Sequence, residues 1–124
     1  MNKVDINLWG RDFSLNAVLH CFDGEIPSEI QKEALAGFTP NTEELEKAYD
    51  ILSKYVLNNG GKDIGIIEVD NIFKYVMPKI IIIPRTKTKI VAIMCNFKFD
   101  PEQGIAVVFE NAKFKEVGVQ DIIL

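Results

Sequence analysis

The chain has 124 residues, 48% hydrophobic and 26% charged, with a formal net charge of −4. That length fits one domain over residues 1–124, and the composition is far from that of a disordered chain. No apolar run approaches the roughly 18 residues a membrane helix requires, and Asp5 stands where a signal peptide would need its apolar stretch, so a cytoplasmic protein with no membrane partner is expected.

The first 22 residues read as a hairpin. Val4, Ile6 and Leu8 alternate with polar neighbours, Trp9-Gly10-Arg11-Asp12 supplies a turn whose glycine can take a positive φ, and Phe13, Leu15, Ala17, Leu19 and Cys21 resume the alternation. His20, the only histidine, falls on the opposite face. Pro27 and Ser28 then open a helix, and Gln31, three residues beyond Ser28, completes a capping-box pattern. Ile30, Ala34, Leu35 and Phe38 form its buried stripe, and Pro40 cannot continue it. A second helix starts at Asn41 or Thr42, where Asn41 with Glu44 repeats the box. Leu45, Ala48, Tyr49, Leu52, Tyr55 and Val56 recur along it at helical spacing until Asn58-Asn59-Gly60-Gly61 ends it.

Residues 62–70 fit either a short strand or a buried connection. Asp70-Asn71 reads as the N-cap of a short helical segment reaching Met77 and stopped by Pro78. Ile80-Ile81-Ile82-Ile83, a β-branched run between prolines, predicts a central strand buried on both faces. After the polar connector 85–89, strands are predicted over 90–97, 104–109 and 114–117, antiparallel because their links are too short for a crossover. A terminal segment docks Ile122, Ile123 and Leu124. The fold class expected is α+β: an N-terminal β-hairpin, two to three helices, and a C-terminal antiparallel sheet with helices packed on one face.

Charge is laid out in blocks. Residues 23–50 hold eight acids against two lysines, whereas 71–99 hold six basic residues and no acid. An acidic helical region and a basic strand region on opposite faces would orient an encounter with a charged partner, although solvated faces are the commoner origin of such blocks.

Candidate chemistry is sparse. Cys21 and Cys95 sit far apart in apolar stretches and read as buried thiols in a reducing compartment rather than a disulfide or metal knuckle. Cys21 points away from the adjacent His20, which leaves Cys95 with His20 as the conceivable dyad, and a buried free cysteine is usually a small hydrophobe. Asp100, Glu102, Glu110 and Asp121 lack the spacing of a calcium loop, and Gly60-Gly61-Lys62-Asp63 lacks that of a phosphate loop, so neither a metal nor a cofactor is expected. Arg85, Lys87 and Lys89 have no interleaved aromatic platform and the pI is near 5.0, which argues against nucleic acid; these residues suit protection of a sheet edge instead. Trp9 and Arg11 flank the first turn and belong to types enriched in binding hot spots, although core packing is the commoner use of a tryptophan.

The segments Trp9-Gly10-Arg11-Asp12-Phe13, Gln31-Lys32-Glu33-Ala34-Leu35 and 96–109, followed by Val117-Gly118 and Asp121, resemble a family of small bacterial domains of unknown function, the DUF6985 and DUF2004-like proteins. Members often carry an aromatic-acid-Glu-His-Gly segment before a strand, and some are suspected immunity proteins of polymorphic toxin systems. Gln103 departs from that pattern where the family often has histidine. Glutamine cannot titrate near neutrality, so only a turn-shaping role could survive the exchange. The resemblance and the charge blocks together imply a non-enzymatic protein-binding domain, an immunity protein occluding a toxin through Glu43 and Glu44 of the acidic helix or through the turns at Trp9, Arg11, Asp100, Glu102 and Gln103. The alternative is a small-ligand-binding or hydrolytic domain using carboxylates near Glu102 and Asp121. An unprotected edge strand leaves the oligomeric state open between a monomer and an edge-paired homodimer.

Overall fold

A computed structural model describes residues 2–123. Strands β1 (Asn2–Leu8) and β2 (Arg11–Leu19) form the expected hairpin; helices α1 (Glu29–Ala36) and α2 (Thr42–Val56) follow, then β3 (Val76–Ile83), β4 (Ile90–Phe97), β5 (Ile105–Glu110) and β6 (Lys113–Gly118). All six strands join one sheet in chain order. β3 to β6 form an antiparallel meander, as their short links require. The hairpin does not stand apart, however: β2 pairs with β3 in parallel, Asn16 opposite Ile80 and Leu19 opposite Ile83. The sheet is therefore mixed. The two-helix connection between β2 and β3 is long enough for a parallel crossover, a constraint that short links never test.

The helices pack on one face. Ala48, Leu52 and Val56 of α2 lie against Leu8, Leu15, Ile81, Ile93, Ile105 and Phe109, all of them buried. A flat sheet of six strands would set its edges about 24 Å apart at roughly 4.8 Å per strand. Adjacent residues of α2 nevertheless reach both sides: Glu44 Oε1 accepts from the Phe114 amide of β6 at 2.9 Å, and the Leu45 carbonyl accepts from Trp9 Nε1 in the β1–β2 turn at 2.8 Å. The sheet curls around α2.

The second face has a thinner cover. Ile123 docks there on Ile90, Ala92, Met94, Ala106 and Val108, with Ile80 and Ile82 packed alongside. Ile122 is exposed instead of docked, and Leu124 lies outside the described residues. The isoleucine strand is central, as expected, but its burial on both faces is uneven: Ile81 and Ile83 are buried beneath the helices, whereas Ile80 and Ile82 are half-buried on the second face.

Local signals translate closely at the helix starts. Ser28 caps α1 with the full capping box. Asn41 caps α2, but Glu44 does not close its box, because its carboxylate is taken by Phe114 and Lys47. Past Val56 the chain leaves helical geometry at Asn59 and at Gly60, whose φ is 136°. Residues 62–70 form neither a strand nor a buried connection: a single helical turn, Lys62–Ile64, ends at left-handed Gly65, and Ile64 and Ile67 are exposed. Asn71 caps only one turn, Ile72–Lys74, because β3 has begun by Val76. Pro78 lies inside β3 instead of stopping a helix; the register shifts between Pro78 and Ile80, a bulge of the kind that accommodates a residue without an amide hydrogen.

Candidate functional site

The tight β1–β2 turn places Trp9 (φ 53°) and Gly10 (φ 90°) in the left-handed region. Two successive positive φ angles suit the twist of a two-residue hairpin, but a bulky residue there is strained and needs compensation. Trp9 has it: besides the bond to the Leu45 carbonyl, its ring lies 6.1 Å from that of Tyr49 and 6.3 Å from that of Phe73. Phe73 continues the layer to Phe13 at 5.5 Å, and the Arg11 guanidinium sits 5.5 Å from the centroids of both Phe13 and Phe73. A groove of about 390 Å³ opens beside this layer, lined by Trp9 and by Glu46, Tyr49 and Asp50 of α2. Trp9 and Tyr49 are half-buried, so the aromatic layer is both a fastening for the hairpin and part of the surface.

The other expected contact residues do not share this corner. Glu44 is buried, and its hydrogen bond from Lys47, followed by that from the Phe114 amide, holds its carboxyl below the usual range. It fastens β6 to α2. Glu43 is exposed and lies 3.6 Å from Lys47. The turn 100–104 leaves the sheet near Tyr55, whose phenol is pushed up by burial and then by the charge of Asp100. Asp100 Oδ1 accepts from the Gln103 amide, and the Gln103 carbonyl accepts from the Gln120 amide. Gln120 Nε2 in turn reaches the Cys95 carbonyl at 3.2 Å, knitting the turn to the C-terminal segment. Glu102 and Asp121 are exposed.

Cys95 lies beneath the helices, fully buried, and burial alone pushes its thiol up to about 12. His20 is half-buried with its ring edge-on to Phe22. Cys21, expected to be buried, is partly exposed, its thiol 3.8 Å from Gln31 Oε1. Among the described residues no three His, Cys, Asp or Glu side chains gather as metal ligands, and no helix is long and apolar enough to cross a membrane.

The charge blocks do not occupy opposite faces. Arg85 lies 3.6 Å from Glu25 and Lys89 3.7 Å from Glu33, so the basic connector meets the acids around α1. With Lys32 on Glu29 and Lys47 on Glu43 and Glu44, the acids of α1 and of the first turn of α2 have partners. Glu46 and Asp50 make no ion pair among the described residues. Sequence reading missed these two as site residues, together with Phe73 and the exposed part of Tyr49. The available signal was the spacing of Glu46, Tyr49 and Asp50 at i, i+3 and i+4, which sets them on one side of α2.

These features define a small α+β domain with a curled mixed sheet and an aromatic and acidic corner. The family model for a domain of unknown function (DUF6985) matches residues 1–124, and the chain belongs to that family. None of the curated proteins and none of the solved structures matches it.

Proposed function

We propose that this chain is a non-enzymatic protein-binding domain whose contact surface is the corner built on Trp9, with an immunity protein occluding a toxin as its biological form. The observation that carries the reading is the packing of Trp9 against Tyr49 and Phe73, with Arg11 over Phe73, beside a groove that Trp9 and Tyr49 line together with Glu46 and Asp50. Tryptophan, tyrosine and arginine are the residue types that dominate binding energy when set together. The strained backbone of Trp9 supports a selected use of that side chain, because a turn needing only shape would take asparagine or glycine at lower cost.

Panning a random peptide display library against the folded chain tests the reading. Binders whose affinity falls when Tyr49→Ala or Arg11→Ala is introduced support it. Binders indifferent to both substitutions, or an absence of binders, overturn it.

A further inference from the structure

We infer that the groove beside Trp9 takes a basic side chain, a lysine or arginine presented by a basic segment of a protein partner; this rests on the reading of the corner as a protein-contact surface. Three observations converge on a cation. The groove is walled by two aromatic residues, Trp9 and Tyr49, and two carboxylates, Glu46 and Asp50. Both carboxylates lack an ion-pair partner among the described residues, whereas Glu25 pairs with Arg85, the acids of α1 with Lys32 and Lys89, and those at the start of α2 with Lys47. The same aromatic layer already receives a guanidinium elsewhere, where Arg11 lies over Phe13 and Phe73.

Aromatic faces carry negative electrostatic potential and attract a cation at about 6 Å or less from the ring centroid. Carboxylates alone would hold a fully hydrated ammonium weakly, and rings alone would accept any apolar side chain. Both together at one groove select a long cationic side chain that lays its methylenes on the rings and its charged head between the acids. Electrostatic complementarity of this kind favours fast association and rejection of acidic partners more than great affinity.

The chain holds a single tryptophan, so its emission reports this groove alone. The test is a fluorescence titration of the whole chain with three peptides of equal length, one rich in arginine and lysine, one in glutamate, and one in uncharged glutamine with a tyrosine. The basic peptide should give a saturable change that weakens as sodium chloride is raised. Its affinity should fall at least fivefold in a Glu46→Gln/Asp50→Asn double variant. A control of matched net charge, Asp63→Asn/Glu68→Gln, should bind as the parent does. All four substituted residues are exposed, so folding is not at issue.

Equal binding of the basic peptide by the parent and the Glu46→Gln/Asp50→Asn variant overturns the inference, as does an equal loss in the control or equal binding of the acidic peptide. Library binders that map to the corner but lack basic residues would overturn the inference and leave the protein-contact reading standing. Binders mapping elsewhere would remove both.

Discussion

Gln31 offers the sharpest test of how α1 is fastened to the sheet, at the end of β2 opposite the Trp9 corner. Its side chain is 1% exposed, and every polar atom is in use. Nε2 donates to the His20 carbonyl and to the Ile83 carbonyl, both at 2.9 Å, while Oε1 accepts from the Ser28 amide at 2.9 Å. One amide therefore joins the start of α1 to the ends of the parallel pair β2 and β3. In Gln31→Leu the volume is kept and the polarity removed. The Ile83 carbonyl retains the His20 amide at 3.0 Å, but the His20 carbonyl and the Ser28 amide lose their partner. An orphaned buried group costs about 1–3 kcal/mol, and partial access to water at His20 and Ser28 places the sum near 3 kcal/mol. With a urea slope of about 1.5 kcal/mol per M, the unfolding midpoint should drop by about 2 M. Gln31→Glu separates the electrostatics. A carboxylate facing two carbonyls is disfavoured, so its folded pKa is raised above the unfolded value of about 4.3; the stability tied to the protonated form is complete below that value and lost as pH rises through the folded pKa. Urea unfolding followed by circular dichroism measures both variants. A Gln31→Leu protein within about 0.5 kcal/mol of the parent would refute this account of the fastening.

Four further outcomes are expected. Gly104 has a φ of 60°, and a Cβ there would lie 2.7 Å from the Cys95 carbonyl and 2.5 Å from Gln120 Nε2. Gly104→Ala should therefore lose about 2–4 kcal/mol in urea unfolding from combined backbone strain and overpacking, and an unchanged midpoint would contradict it. In Ellman's assay at pH 8, Cys21 should react within the native protein while Cys95, deeply buried with its thiol held near 12, should wait for unfolding; two equally fast thiols would oppose this. Glu44 has a depressed pKa, so its contribution is complete above the unfolded value of about 4.3 and fades as pH falls through the folded one. Glu44→Gln should accordingly be less stable than the parent at pH 7 and approach it under acid, and a pH-independent gap in melting temperature would argue otherwise. Trp9→Gly should raise the mobility of the β1–β2 turn through loss of the bond to Leu45, seen as faster amide exchange in β1; unchanged protection would count against the fastening.

Much of the fold was legible because its signals are local. Alternation in 4–8 and 13–19, the caps at Ser28 and Asn41, and the short links after Ile90 each act over a few residues, and the structure repeats them. What escaped depends on distant partners. Parallel pairing of β2 with β3 joins segments on either side of both helices. Gln31 was legible as a capping residue, but its second use requires the Ile83 carbonyl, 52 residues away. Glu44 is legible as the capping-box partner of Asn41 and as an acid of the contact helix, but the Phe114 amide, 70 residues on, draws its carboxylate inward. The charge blocks misled for the same reason: sequence counts show their segregation but not that Arg85 and Lys89 fold back onto the acids of the other block. At the corner, Trp9 and Arg11 stood out by residue type, whereas Phe73 joins them only through tertiary packing.

The measurement closest to the central claim is an amide-resonance map of the isotope-labelled chain while a library-selected peptide is added. Shifts should cluster on Trp9, Gly10 and Arg11, on Glu46, Tyr49 and Asp50, and around Phe73. A map centred instead on the outer sheet face at Val18, Ile80 and Ile82, or on the turn at Glu102 and Gln103, would contradict the assignment of the Trp9 corner as the binding surface.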